Sequence, residues 1–254
     1  MIKHVIKLFV KTHWVRLIAT FVLIGTVTFI FEPVYLLSSE SMSWNDWFLE
    51  MSGSLIVMYI VAPFSVALIT FDVTKWLWSN FGIYTMMRLQ KRQQLFSAYT
   101  LLMVMVVSYI IFSILFWTVI IGLFKFDLVT VTNYHPFFES GNSPILIIGL
   151  RFLLDWWALL FIASLSLLGS FYGKSTLVAF GCSIVFPIFL AIAFKTNITG
   201  KGYIPGAAMQ LAIHEEGTSL LLLTILNELY VLILLLIIYS MIRTTNLSIG
   251  RTKK

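Results

Sequence analysis

Three ionisable residues stand in the apolar body of this 254-residue chain: Arg151 and Asp155 in "LRFLLDWW", and Glu228, beside Asn227, in "ILNELY". A spacing of four puts Arg151 and Asp155 on one helix face, where guanidinium and carboxylate can pair. Asp155 lies eleven residues past Pro144, and Glu228 ten past Thr218. At about 1.5 Å per residue, these are depths of about 16 and about 15 Å along helices entered from the same side. A charge at the centre of a bilayer costs roughly 2.5–3.5 kcal/mol on insertion scales, so such groups pair or line a polar cavity. Two readings stand side by side. The cluster is a polar element on a transport route or subunit interface, or it is an ion pair that fixes helix packing. Glu228 is expected to share Arg151 if the two helices touch. Three charges with one arginine fit a lock better than a proton relay.

A second stretch, Gly169–Thr176, reads "GSFYGKST". A phosphate-binding loop needs a glycine, four spacers, then Gly-Lys-Ser or Gly-Lys-Thr. Here three residues separate Gly169 from Gly173, and Leu168 stands where the first glycine belongs. The stretch also joins two apolar segments, with no room for a strand before it. It is expected to form a tight turn that Gly169 and Gly173 permit. "HEEGT" from His214 lacks the second histidine of a zinc-protease helix. His4, His13 and His135 are scattered, and Gly-x-Ser-x-Gly is absent. The single cysteine, Cys182, sits among apolar neighbours and reads as a buried small residue. An enzyme activity therefore has no positive support.

The elements that carry these residues follow from composition. Hydrophobic residues make up 59% of the chain and charged residues 11%, against about a quarter charged in soluble domains. Mean hydropathy is +0.95. Six apolar segments fall near 17–37, 51–71, 98–121, 145–170, 177–194 and 218–242. Each approaches the roughly 20 residues that cross about 30 Å of hydrocarbon. The prediction is an all-α integral membrane protein, a single transmembrane domain over 1–254. Residues 1–16 carry Lys3, Lys7 and Lys11 on one face and Ile2, Val5, Ile6, Phe9 and Val10 on another. That pattern predicts an N-terminal amphipathic interfacial helix. No small-residue cleavage site follows the first apolar run. Ile204–Ile213 is apolar but too short to span, so a re-entrant or interfacial helix is expected before span six.

Charge sets the orientation. Lys3, Lys7, Lys11, Arg16, Lys75, Arg88, Lys91, Arg92, Lys174, Arg243, Arg251, Lys253 and Lys254 fall on one side. The other side holds Lys125, Lys195 and Lys201 with Glu32, Glu40, Asp46, Glu50, Asp127, Glu139, Glu215 and Glu216. Both termini are thus expected in the cytoplasm, with acidic loops outside. The net charge of +6 serves topology, and no nucleic-acid partner is expected. Residues 73–97 form the longest cytoplasmic interruption. Met86, Leu89 and Leu95 recur there at helical spacing, and Arg88, Lys91 and Arg92 make the segment basic. It is either a handle for a cytoplasmic partner or an orientation signal lying on headgroups.

The layout resembles the membrane subunit of a type-2 ATP-binding cassette (ABC) exporter. The features that carry the resemblance are "MIKHVIKLFVKTHWVR", six spans with both ends inside, "GIYTMMRLQKRQQLFSAY", the short turn at "GKST", and "YIPGAAMQLAIHEEG" before span six. The resemblance implies a permease in a bacterial cell membrane with no cofactor of its own, ATP and magnesium being held by a separate ABC ATPase subunit. It implies pairing with a second membrane subunit, identical or related. It also implies a coupling helix that docks on the ATPase, here Gly82, Tyr84, Met86, Met87, Arg88, Leu89, Lys91 and Arg92. The small size is similar to exporters of antimicrobial peptides and of amphipathic toxin peptides such as the phenol-soluble modulins. The implied cargo is amphipathic or lipid-like.

Three other classes compete with this reading: a non-transporting assembly or sensor partner, an ion-coupled carrier using Asp155 or Glu228 as its proton site, and an intramembrane hydrolase. The missing motifs disfavour the last.

Overall fold

The computed structural model describes residues 2–30, 42–54, 56–73, 92–125, 128–129, 143–173, 177–182, 184–185 and 220–244. Helix α1 (Ile2–Ile30) is continuous. No proline or glycine interrupts residues 2–24, so nothing ends the helix at Arg16. The separate interfacial helix expected over 1–16 is instead the first half of α1. Its Phe9 and His13 are buried, and Ile6 packs against the core.

A two-residue strand, β1 (Met42–Ser43), leads into α2 (Trp44–Gly53). Ser43 caps α2: its Oγ accepts from the Asp46 N–H at 3.1 Å and donates to the Asp46 carboxylate. After Ser54 the chain re-forms as a π-helical turn (Val57–Val61) running into α3 (Ala62–Thr70). The Ala62 N–H reaches back five residues to the Val57 carbonyl. Pro63 brings no N–H and crowds the preceding turn, which favours the wider register. The segment expected as one span over 51–71 is therefore two helical pieces broken at Ser54. The remaining elements are α4 (Arg92–Lys125), β2 (Leu128–Val129), α5 (Pro144–Gly173) and α6 (Leu220–Thr244). β1 and β2 pair in parallel, Met42 with Leu128 and Ser43 with Val129.

Apart from that strand pair, the described elements are helical. Four stretches are long and apolar enough to cross a membrane: Ile6–Ile30, Phe96–Phe124, Pro144–Ser170 and Leu221–Arg243. These four are compatible with a multi-pass membrane protein.

Contacts between helices fix their directions. The Tyr109 hydroxyl donates to the Leu17 carbonyl at 2.6 Å, and Trp117 Nε1 to the Phe21 carbonyl at 2.9 Å. Both partners advance together, so α1 and α4 run parallel. Leu154 packs with Leu223, and seven residues on, Phe161 meets Tyr230 with ring centroids 6.4 Å apart. Helices α5 and α6 are therefore also parallel, in a register that sets residue i opposite i + 69. Phe96 meets Tyr239 at 5.2 Å, whereas Trp156, level with Ile225 in the α5–α6 register, donates to Ser108; the α4 position rises as the α6 position falls, so α4 and α6 are antiparallel. One end of the bundle thus holds the starts of α1 and α4 and the ends of α3, α5 and α6.

Helix α5 is the centre, packed on α2, α3, α4 and α6, and its apolar stretch is the most buried of the four. Outside, α1 turns Val15, Ile18, Val22 and Phe29 outward, and α6 turns Leu222, Leu229 and Leu236 outward. An exterior this apolar suits hydrocarbon, because each outward side chain would otherwise oppose solvation by water. Small and polar residues provide the specific contacts. A Cβ on Gly25 would run into the Trp117 indole, so only glycine lets the ring lie against α1. Trp47 Nε1 donates to the Thr118 carbonyl at 2.8 Å, tying α2 to α4.

Candidate functional site

Arg151 and Asp155 come together in the core, with guanidinium Nη2 3.6 Å from the Asp155 carboxylate. Both side chains are buried. Arg151 Nη2 also donates to the Ser52 carbonyl at 3.3 Å. Ser52 lies in the last turn of α2, where helix carbonyls lack intrahelical donors and the dipole favours a cation. Arg151 therefore links α5 to the end of α2. Neither Asp155 oxygen accepts a hydrogen bond among the described residues. A buried carboxylate without hydrogen bonds is costly to hold as a charge, and the Arg151 guanidinium 3.6 Å away is what offsets that cost.

Glu228 does not join this pair. Helices α5 and α6 do touch, as the sharing idea required. Yet the register sets Asp155 opposite Thr224 and leaves Glu228 about two turns past Arg151. Asn227 and Thr224 are the polar residues that α6 turns inward, whereas Glu228 faces outward. The Asn227 amide donates to the Leu223 carbonyl at 2.9 Å. Adjacent helical residues lie about 100° apart, so Asn227 and Glu228 cannot share a face. The sequence set them side by side, and the packing separated them.

A second charged cluster was not legible as a unit. Arg16 donates to both oxygens of Asp72, at 2.7 and 2.9 Å. His13 Nε2 stands 3.5 Å from the same carboxylate, while its Nδ1 lies 3.0 Å from the Phe9 carbonyl. The His13 ring stacks on Phe9, and the Arg16 guanidinium lies over the Phe71 ring at 4.8 Å. Burial by itself would raise the Asp72 carboxyl. Hydrogen bonds from His13 and Arg16, with the Arg16 charge, outweigh it and hold the group at about 2, below its ordinary 3.8. Arg16 and Asp72 are 56 positions apart, and only the packing of α1 beside α3 joins them. The available signal was a lone acid, Asp72, in an otherwise basic segment.

Of the expected coupling residues, Gly82, Tyr84, Met86, Met87, Arg88, Leu89 and Lys91 lie outside the described residues, and Arg92 opens α4. The expected helix over 204–213 lies outside them too, as does most of span five. The stretch from Gly169 takes a different role from the expected turn. Helix α5 runs through Gly173, so the first five residues of "GSFYGKST" are helical. A Cβ on Gly169 would come 2.9 Å from Cys182 Sγ, so this glycine admits the helical residues 177–182 against α5. The Ser166 hydroxyl donates to the Ala179 carbonyl at 3.1 Å and fastens the same contact. No group of three His, Cys, Asp or Glu capable of holding a metal occurs among the described residues. Compared with family models, curated proteins and solved structures, this chain matches none.

Proposed function

We propose that this chain is the six-span permease subunit of an ATP-driven exporter in a bacterial cell membrane, with both termini in the cytoplasm. It moves an amphipathic or lipid-like cargo, a peptide toxin or antimicrobial peptide, and pairs with a second membrane subunit. A separate ABC ATPase supplies ATP hydrolysis. The observation that carries the reading is the seat of the basic segment 74–91. At one flank, Asp72 is gripped by Arg16 of α1. At the other, Arg92 opens the 34-residue helix α4. A push on this segment from a cytoplasmic partner would therefore act on α1, α3 and α4 together.

Helix directions support the count of six. Parallel α5 and α6 fit a layout with one further crossing between them, and parallel α1 and α4 fit one with a crossing between those two. The start of α1 and the ends of α3, α5 and α6 share the end of the bundle that is rich in lysine and arginine, as the charge rule asks of a cytoplasmic face.

Co-purification tests the reading. The chain should carry a cytoplasmic ATPase through detergent extraction, and reversing the charges of Arg88, Lys91 and Arg92 should weaken that complex by about tenfold or more. Retention of the ATPase and of transport after residues 82–92 are replaced by a flexible linker would refute it.

One observation favours a second reading, an ion-coupled carrier. Asp155 is a buried carboxylate without a hydrogen bond at the centre of α5, where a transported proton would reside. Uptake by the purified chain alone in vesicles, driven by a pH gradient and abolished by Asp155→Asn, would select it.

A further inference from the structure

We propose that the outward face of α1 near its start is a binding site for an anionic phospholipid, with Lys7 and Lys11 on the headgroup and Trp14, Ile18 and Val22 along the acyl chain. Residues 7, 11, 14, 18 and 22 recur in steps of four, three, four and four. At about 100° per residue they fall within about 80° of one another, in one stripe along the helix. All five are exposed, Trp14 at 56%. Phe9 and Arg16 lie on the opposite side of the same turns, where Phe9 is buried in the core and Arg16 is bound to Asp72. The stripe is therefore what is left of α1 after the bundle has taken its other face. Among the described residues neither lysine makes an ion pair.

The stripe changes chemistry along its length. Lys7 and Lys11, one turn apart, have Cβ atoms about 5–6 Å from each other, so both ammonium groups reach one phosphate. Trp14 follows a turn later. An indole favours the boundary between headgroups and hydrocarbon, where its ring meets chains and its N–H stays wet. Beyond it, Ile18 and Val22 offer only hydrocarbon. A soluble acidic partner would match the lysines and leave the indole and aliphatic side chains bare. A neutral lipid would match the aliphatic side chains and leave two cations without counter-charge. An anionic phospholipid meets all of them, in the order phosphate, glycerol, acyl chain. Each lysine beside an anionic surface favours binding about fivefold. The helix expected to lie flat on the headgroups is instead continuous with the span, so lipid and the Asp72 clamp hold α1 from opposite faces. The site does not rest on the permease reading.

Native mass spectrometry of the full chain released from nanodiscs of mixed phosphatidylglycerol and phosphatidylcholine tests it. The lipid retained by the protein is expected to be enriched in phosphatidylglycerol at least about fivefold over the disc. Lys7→Gln combined with Lys11→Gln should lower that enrichment about fivefold or more, and Lys7→Arg combined with Lys11→Arg should keep it. Both lysines are exposed, so neither pair of changes disturbs the core. Retention without preference on the unaltered chain would overturn the proposal. So would an enrichment that survives the paired Gln changes, which would seat the headgroup elsewhere. A second measurement separates lipid from free anion. In neutral detergent, phosphatidylglycerol should raise the melting temperature, and inorganic phosphate at the same concentration should not. Equal shifts from the two would overturn the lipid assignment.

Discussion

Arg16 holds Asp72 through both carboxylate oxygens, at 2.7 and 2.9 Å, across 56 positions of sequence. This bidentate clamp fastens the middle of α1 to the residues just past α3. Asp72 stands two residues before the basic segment 74–91 in the sequence, so the clamp fixes the chain just ahead of it.

Breaking the clamp should loosen the bundle. Arg16→Met leaves a partly buried carboxylate with only His13 for company, and should cost about 2–4 kcal/mol. Asp72→Asn should cost less, because the amide retains acceptor capacity for Arg16. Thermal unfolding in detergent measures both, and a double-mutant cycle should return a coupling of about 1–3 kcal/mol.

Acid should release the clamp. Asp72 titrates at about 2 in the folded chain against an ordinary 3.8. A depressed acid contributes stability that is complete above its unfolded value and disappears as pH falls through the folded one. The contribution, on the order of 2 kcal/mol, should thus be full above about pH 4 and fade between about 4 and 2. Unfolding followed across that range should be steeper with pH in the unaltered chain than in Asp72→Asn. Equal slopes would show that Asp72 is not the group responsible.

Gly25 should tolerate no larger residue while Trp117 is present. Gly25→Val drives a side chain into the indole and should destabilise by about 1–3 kcal/mol. Trp117→Ala added to it removes the obstacle, and also removes the indole donor to the Phe21 carbonyl. Partial recovery of the melting temperature is therefore expected, and no recovery would mean that the two residues do not meet.

Arg151→Met should be among the most damaging single changes, at about 3–5 kcal/mol, because it strands Asp155 in the core. Adding Asp155→Leu should restore most of that loss. Adding Glu228→Gln should restore none, since Glu228 lies on the other side of α6. Rescue by Glu228→Gln would instead place that carboxyl beside Arg151.

The sequence alone pointed to the solvent and to three of the long helices. Its apolar residues are too many for a soluble core of this size, which favours lipid; runs near 98–121 and 145–170 lie within α4 and α5, and the run near 218–242 overlaps α6 from Leu220. The Arg151–Asp155 pair was legible because both residues sit on one helix, four apart, and local geometry suffices for that. Tertiary structure decided whatever depended on the rotation and register of one helix against another. A wholly apolar helix carries no amphipathic stripe to say which side faces inward, so Asn227 and Glu228 were indistinguishable until α6 docked on α5. The union of Arg16 with Asp72, the fit of Gly25 to Trp117 and the role of Gly169 against Cys182 are likewise contacts between segments. No periodicity within one segment encodes them, because the partner surface that selects them exists only after packing.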